Sequence, residues 1–98
     1  MARFDFYINP EGGYLVDVQA NLMSALNTRV VIPLMPRASA PRAAGRLNPV
    51  FQIEGKAFVM VTQFLAAIPQ DELKEKAGSL AHRDVEIGDA LDMLFVGF

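Results

Sequence analysis

Two alternating segments on either side of a glycine turn constrain this chain more than any other feature. From Arg3 to Ile8 the residues alternate loosely, with Phe4, Phe6 and Ile8 on one face and Arg3, Asp5 and Tyr7 on the other. A period of two is the period of a strand. Asn9-Pro10-Glu11-Gly12-Gly13 follows, a turn cluster whose glycines are free to take positive φ. Tyr14 to Ala20 resumes the alternation, with Tyr14, Val16 and Val18 opposite Leu15, Asp17 and Gln19. The pattern predicts an antiparallel hairpin whose apolar face later elements must cover.

Arg29 to Met35 is a β-branched run interrupted by Pro33. Proline lacks the ladder N–H, so pairing must loosen or reach an edge there. Pro36 to Gly45, rich in Ala, Pro and Arg, reads as an irregular loop. Val50–Ile53 and Ala57–Thr62 flank the turn Glu54-Gly55-Lys56 as a second hairpin, and Gln63 to Ile68 reads as a further strand or a bend. Pro69 to Leu73 predicts the start of a short helix, with proline in the first turn and acids at the positive dipole end; Gly78 would close it. Ser79 stands where an N-cap would stand for a second helix, from about Leu80 to Leu94. That helix would set Val85, Ile87, Ala90, Leu91, Leu94 and Phe95 along one broad apolar side, with Asp84, Glu86, Asp89 and Asp92 on the wet side. Five or six strands and a terminal helix predict one α+β domain over residues 1–98, mainly antiparallel, built as a small barrel.

Composition narrows the function. The chain is 52% hydrophobic, and a 98-residue domain has little interior in which to place so much apolar surface. The excess points to an interface, most simply a homodimer. With no cysteine there is neither a disulfide framework nor a thiolate metal site, and the one histidine, His82, excludes a His-rich metal cluster. The charges that break up Met1–Phe6 are unlike a signal peptide, and no apolar run approaches the ~20 residues of a membrane span. A cytoplasmic protein with no membrane contact is expected.

Charge is unevenly placed. Between Asp17 and Glu54 there is no acid, only Arg29, Arg37, Arg42 and Arg46. From Asp71 to Asp92 seven acids stand against Lys74, Lys76 and Arg83. The plain reading is ordinary solvated faces; the functional one is a basic and an acidic lobe for different partners.

Little in the chain asks for catalysis. Ser79, His82 and Asp84 are adjacent without forming a triad signature, and a histidine here caps or packs. Asp89 and Asp92 fall on a solvated helix face. Arg29 beside Thr28 would suit metal-free RNA cleavage, but the pattern does not call for it. The unexplained residues are the last ones: Phe95 can be core, but Gly97 cannot prolong a helix cheaply, and Phe98 would stand as an aromatic anchor on a short stalk.

Val16-Asp17-Val18-Gln19, Val31-Ile32-Pro33-Leu34, Leu47-Asn48-Pro49-Val50, Leu80-Ala81-His82-Arg83-Asp84 and Leu94-Phe95-Val96-Gly97-Phe98, in that order and spacing, resemble the CcdB toxins. The resemblance implies a homodimer of SH3-like barrels, each with a small extra sheet and a C-terminal α-helix. It implies the toxin half of a plasmid or chromosomal type II toxin–antitoxin pair, a system of plasmid maintenance. Such a toxin binds the A subunit of DNA gyrase, traps the cut-DNA complex and is neutralised by a cognate antitoxin. It is not an enzyme, carries no cofactor and does not bind nucleic acid directly. Carried over by position, the gyrase-binding residues are Leu22, Met23, Asp92, Phe95, Val96, Gly97 and Phe98. Phe95 and Gly97 match the family. Leu22 and Met23 replace an isoleucine pair, Asp92 an asparagine, and Phe98 a terminal isoleucine. Val96 replaces a tryptophan that stacks on a gyrase arginine, a contact worth about 1–2 kcal/mol when desolvated. Arg37, Arg42 and Arg46 are candidate antitoxin-binding residues, because antitoxin tails are often acidic. Two alternatives share the fold: an antitoxin-binding protein that no longer poisons gyrase, and an mRNA-cleaving toxin.

Overall fold

The computed structural model describes residues 2–98. Seven strands form one curled antiparallel sheet: β1 Asp5–Ile8, β2 Tyr14–Asp17, β3 Thr28–Pro36, β4 Val50–Ile53, β5 Lys56–Met60, β6 Ala66–Pro69 and β7 Lys76–Ser79. They run in the order β4-β5-β3-β2-β1-β7, with β6 also paired to β3, and the helix α1 (Asp84–Val96) follows. This is the expected α+β half-barrel with a C-terminal helix.

The first hairpin forms as its alternation predicts, pairing Phe6 with Val16 and Ile8 with Tyr14. The second turns on Glu54 (φ 51) and Gly55 (φ 79), the left-handed pair that a two-residue hairpin needs. Strand β3 is the hub, with β2 along one edge. Along its other edge it pairs first with β6, up to Val31↔Ala66, then with β5, from Leu34↔Met60. Pro33 sits at that handover, where a missing N–H breaks no ladder, and its carbonyl still accepts the Val61 N–H at 3.0 Å.

The core fills the concave face. Phe4, Phe6, Val16, Val18, Ile32, Leu34, Phe51, Phe58, Met60 and Leu80 pack there with Ile87 and Ala90 of α1. The opposite face of the first hairpin is also covered, since Tyr7, Val31 and Leu73 cluster over Leu15 and Ile68. Ile8, expected on the core face, is 43% exposed, because it is the last residue of β1 at the end of the hairpin.

Three expectations are corrected. Pro69–Gly78 is not a helix: Gln70–Glu72 is one 3₁₀ turn, and β7 then pairs with β1. Gly78 lets this strand close over an aromatic ring, for a Cβ there would lie 2.6 Å from Phe6 Cζ. The terminal helix starts at Asp84 rather than Leu80, because Phe4 O takes the Leu80 N–H and Ser79 Oγ accepts from Ala81 N at 3.2 Å, holding a 3₁₀ turn at Ala81–Arg83. The apolar side of α1 is narrower than predicted. Ile87 and Ala90 are buried and Leu91 and Leu94 half-buried, but Val85 is 70% and Phe95 68% exposed. Val85 lies two residues from Ile87, roughly 200° around the helix, and Phe95 falls about a quarter-turn off the buried line.

Candidate functional site

The last turn of α1 sets its apolar side chains outward. Phe95, Val96 and Phe98 are 68, 59 and 80% exposed, and Asp92 and Met93 are exposed beside them. Gly97 takes φ 84, and its N–H reaches the carbonyls of Asp92 at 3.1 Å and Met93 at 3.2 Å. The glycine is therefore a left-handed helix cap, and it projects Phe98 clear of the helix. These residues can offer a partner apolar and aromatic surface beside one carboxylate.

Leu22 and Met23 lie on the 3₁₀ turn Asn21–Met23, inside the loop that joins β2 to β3. Leu22, Met23 and Leu26 are 86, 44 and 50% exposed. The helix packs mainly on the 3₁₀ turns Gly45–Leu47 and Thr62–Phe64, and the Leu22 turn is not among its principal contacts. The two halves of the expected surface thus stand on different elements of the chain.

Arg37, Arg42 and Arg46 are all exposed on the long β3–β4 connection. Its far end is anchored by buried Asn48, which accepts from Ala44 N at 3.0 Å and donates to Met60 O at 3.1 Å and to Gln63 Oε1 at 2.8 Å. Arg46 lines a shallow groove with Glu86 and Asp89, so its positive field is partly offset there. Glu86 itself pairs with Arg83, whose Nη2 donates to Oε2 at 2.8 Å; this bond raises the Arg83 pKa and lowers that of Glu86.

Arg29 does not join that basic lobe. Its side chain is buried in β3, with Nε donating to Asp17 Oδ2 at 2.8 Å. Nη2 lies 2.6 Å from the same oxygen, at an angle that leaves it without a hydrogen bond. Burial raises the pKa of neighbouring Tyr7, the carboxylates of Asp5 and Asp17 raise it further, and Arg29 opposes them. A guanidinium in this setting has no access to a phosphodiester. His82 is exposed, and the Ser79 hydroxyl is engaged with Ala81 N. Among the described residues no three His, Asp or Glu side chains gather to hold a metal, and no helix is long and apolar enough to cross a membrane.

The family model for the CcdB protein matches residues 3–97, nearly the whole chain. This chain belongs to the CcdB family. CcdB proteins are toxins of toxin–antitoxin pairs, so a cognate antitoxin is the kind of partner that membership implies. Among solved structures, an endoribonuclease from mycobacterial species is similar with a TM-score of 0.74 and 16% identity, over 95% of this chain and 88% of that one. At that identity the likeness is one of fold, which CcdB proteins share with chains of other activity.

Three polar residues of this CcdB chain were not legible from their sequence positions. Asp17 and Arg29 read as ordinary strand positions, although the absence of any acid between Asp17 and Glu54 leaves Asp17 as the nearest carboxylate to Arg29 in sequence. Asn48 stood inside a family motif without a role, and here it is the anchor of the arginine-bearing loop.

Proposed function

We propose that this chain is a toxin that binds the A subunit of DNA gyrase and traps the enzyme on cleaved DNA. It acts as a homodimer, without chemistry of its own, until a cognate antitoxin removes it. The observation that carries the reading is the capped helix end, where Phe95, Val96 and Phe98 stand exposed and contribute little to the core. A large apolar group held outside the fold on a rigid element is what a partner anchor requires. The arginine-bearing loop, distant in sequence, supplies the surface for an acidic antitoxin.

One observation favours a second reading. Val96 cannot supply the aromatic stacking of the family tryptophan, and Asp92 places a charge where a neutral amide is usual. The chain would then bind antitoxin without poisoning gyrase. The burial of Arg29 against Asp17 removes that guanidinium from an RNA-cleaving role.

A supercoiling and DNA-cleavage assay with purified gyrase separates these readings. Full-length chain at micromolar concentration is expected to accumulate cleaved DNA, and a variant lacking Val96, Gly97 and Phe98 to accumulate none while remaining folded. No cleavage complex with the full-length chain, together with tight antitoxin binding, selects the second reading. Cut RNA in the absence of gyrase would overturn both.

A further inference from the structure

The β2–β3 loop carries three exposed apolar side chains, Leu22, Met23 and Leu26, on a backbone that is tightly tied. Two of the ties come from one side chain. The Gln19 side chain accepts the Val30 N–H at Oε1, 3.0 Å away, and donates from Nε2 to the Met23 carbonyl, also at 3.0 Å. Both partners are backbone groups of one polarity, an N–H that only donates and a C=O that only accepts, so the amide has one orientation that satisfies them. The Met23 carbonyl also receives the Leu26 N–H at 3.1 Å. A single side chain thus spans the loop from β3 to the peptide between two of its exposed apolar residues. Gln19 is itself fixed, because its N–H donates to Asp17 Oδ1 at 3.0 Å, on the carboxylate that holds Arg29. From the other side, Asn21 Oδ1 accepts the Arg3 N–H at 2.7 Å.

We infer that Gln19 is a positioning residue for partner binding: it holds the Asn21–Met23 turn so that Leu22 and Met23 meet gyrase already in their bound geometry. The inference rests on the gyrase reading above. Ordering a loop before the encounter removes that entropy cost from the binding step. Gln19 touches no partner and acts only through the two residues it orients.

The test uses the full chain and four variants: Gln19→Met, close in length but with neither hydrogen bond; Gln19→Glu, which keeps the acceptor and loses the donor; Leu22→Ala/Met23→Ala; and the latter combined with Gln19→Met. Binding to the purified gyrase A subunit, urea unfolding and amide exchange are measured on each. Gln19→Met is expected to raise Kd roughly tenfold. Exchange should quicken at Ser24 and Leu26 and stay unchanged at Val31 and Ile32. Gln19→Glu is expected to weaken binding in the same direction, and it carries the test should Gln19→Met fold poorly. In the Leu22→Ala/Met23→Ala background, Gln19→Met should change Kd by less than about twofold, because the groups it acts through are gone. Unchanged binding by both Gln19 variants overturns the positioning role alone. So does a tenfold loss that persists in the Leu22→Ala/Met23→Ala background, which would mark a general structural defect. Failure of the unmodified chain to bind gyrase overturns the gyrase reading and this inference with it.

Discussion

Replacing Asp17 by asparagine should cost this domain more than any single surface change. The carboxylate is fully buried, and it is the partner of a guanidinium that is 1% exposed. With charge centres about 4 Å apart and an effective dielectric of ~20, their attraction is about 4 kcal/mol. Asparagine removes it and turns an amide of mixed polarity toward a guanidinium that can only donate. One nitrogen of that guanidinium already lacks a hydrogen bond, so nothing nearby takes over. Breaking one partner of a buried pair costs about 3–5 kcal/mol. Against a total stability of about 5–15 kcal/mol, such a loss is a large share. At about 4–8 °C per kcal/mol for a domain of this size, a loss near 4 kcal/mol lowers Tm by roughly 16–32 °C. Urea unfolding at neutral pH measures the loss directly. Replacing both partners, Asp17→Leu with Arg29→Met, removes the stranded charge and should return most of the stability. If Asp17→Asn cost less than about 1 kcal/mol, water would be reaching the guanidinium, and the burial argument against an RNA-cleaving Arg29 would fail with it.

Three further outcomes are expected. Val96→Trp should tighten gyrase binding by up to about 30-fold through aromatic–guanidinium stacking, with little change in the urea midpoint because Val96 is 59% exposed; unchanged affinity would refute the stacking role of this position. Arg42→Glu with Arg46→Glu should weaken antitoxin binding about tenfold in low-salt calorimetry and leave gyrase binding nearly unchanged; equal loss of both would refute separate surfaces. Tyr7, held above its ordinary value of about 10 by burial and by Asp5 and Asp17, keeps its proton in the folded chain after the unfolded chain has lost it. Its contribution is therefore intact below the unfolded value and lost as pH rises through the folded one. Tyr7→Phe should flatten the alkaline decline of the urea midpoint, and an identical decline in both chains would refute this assignment.

The strands were legible because each carries a local pattern that its tertiary setting leaves undisturbed. Phe6 and Val16 face the core as their alternation requires, and the Glu54-Gly55 turn has the chemistry its type demands. The region 69–83 was not legible, because its local signals compete with long-range partners. Proline and acids at 69–72 suit a helix start, but β1 supplies a strand edge, and Gly78 answers the Phe6 ring rather than a helix end. Ser79 has the chemistry of a cap and caps a 3₁₀ turn, because the Leu80 N–H is already bound to Phe4. At the candidate site, the exposure of Phe98 was legible in the glycine before it. The separation of the Leu22 turn from the helix within one chain was not, since position in a family alignment carries no distance. Gln19 was invisible for a related reason. It was expected within a strand to Ala20 but lies beyond the end of β2 at Asp17, and only the return of β3 brings Val30 within reach of its side chain.

The placement of these residues separates what the fold needs from what a partner reads. Gly97 serves both, because its φ of 84 closes the helix that presents Phe98. Asp92, Val96 and Phe98 are all exposed and none appears in the core, so the fold does not depend on their side chains. Substitutions at these three positions therefore cost the fold little, whereas a side chain at Gly97 would strain the helix end by about 1 kcal/mol. The departures from the family pattern, at positions 22, 23, 92, 96 and 98, all fall on exposed residues, and the match is kept at Phe95 and Gly97. On the gyrase reading, substitutions along this edge would retune poisoning without losing the barrel, while Asn48 anchors the arginine-bearing loop independently of the last helical turn. On the gyrase reading, toxicity and antitoxin binding are expected to be separable, so each is to be measured on its own.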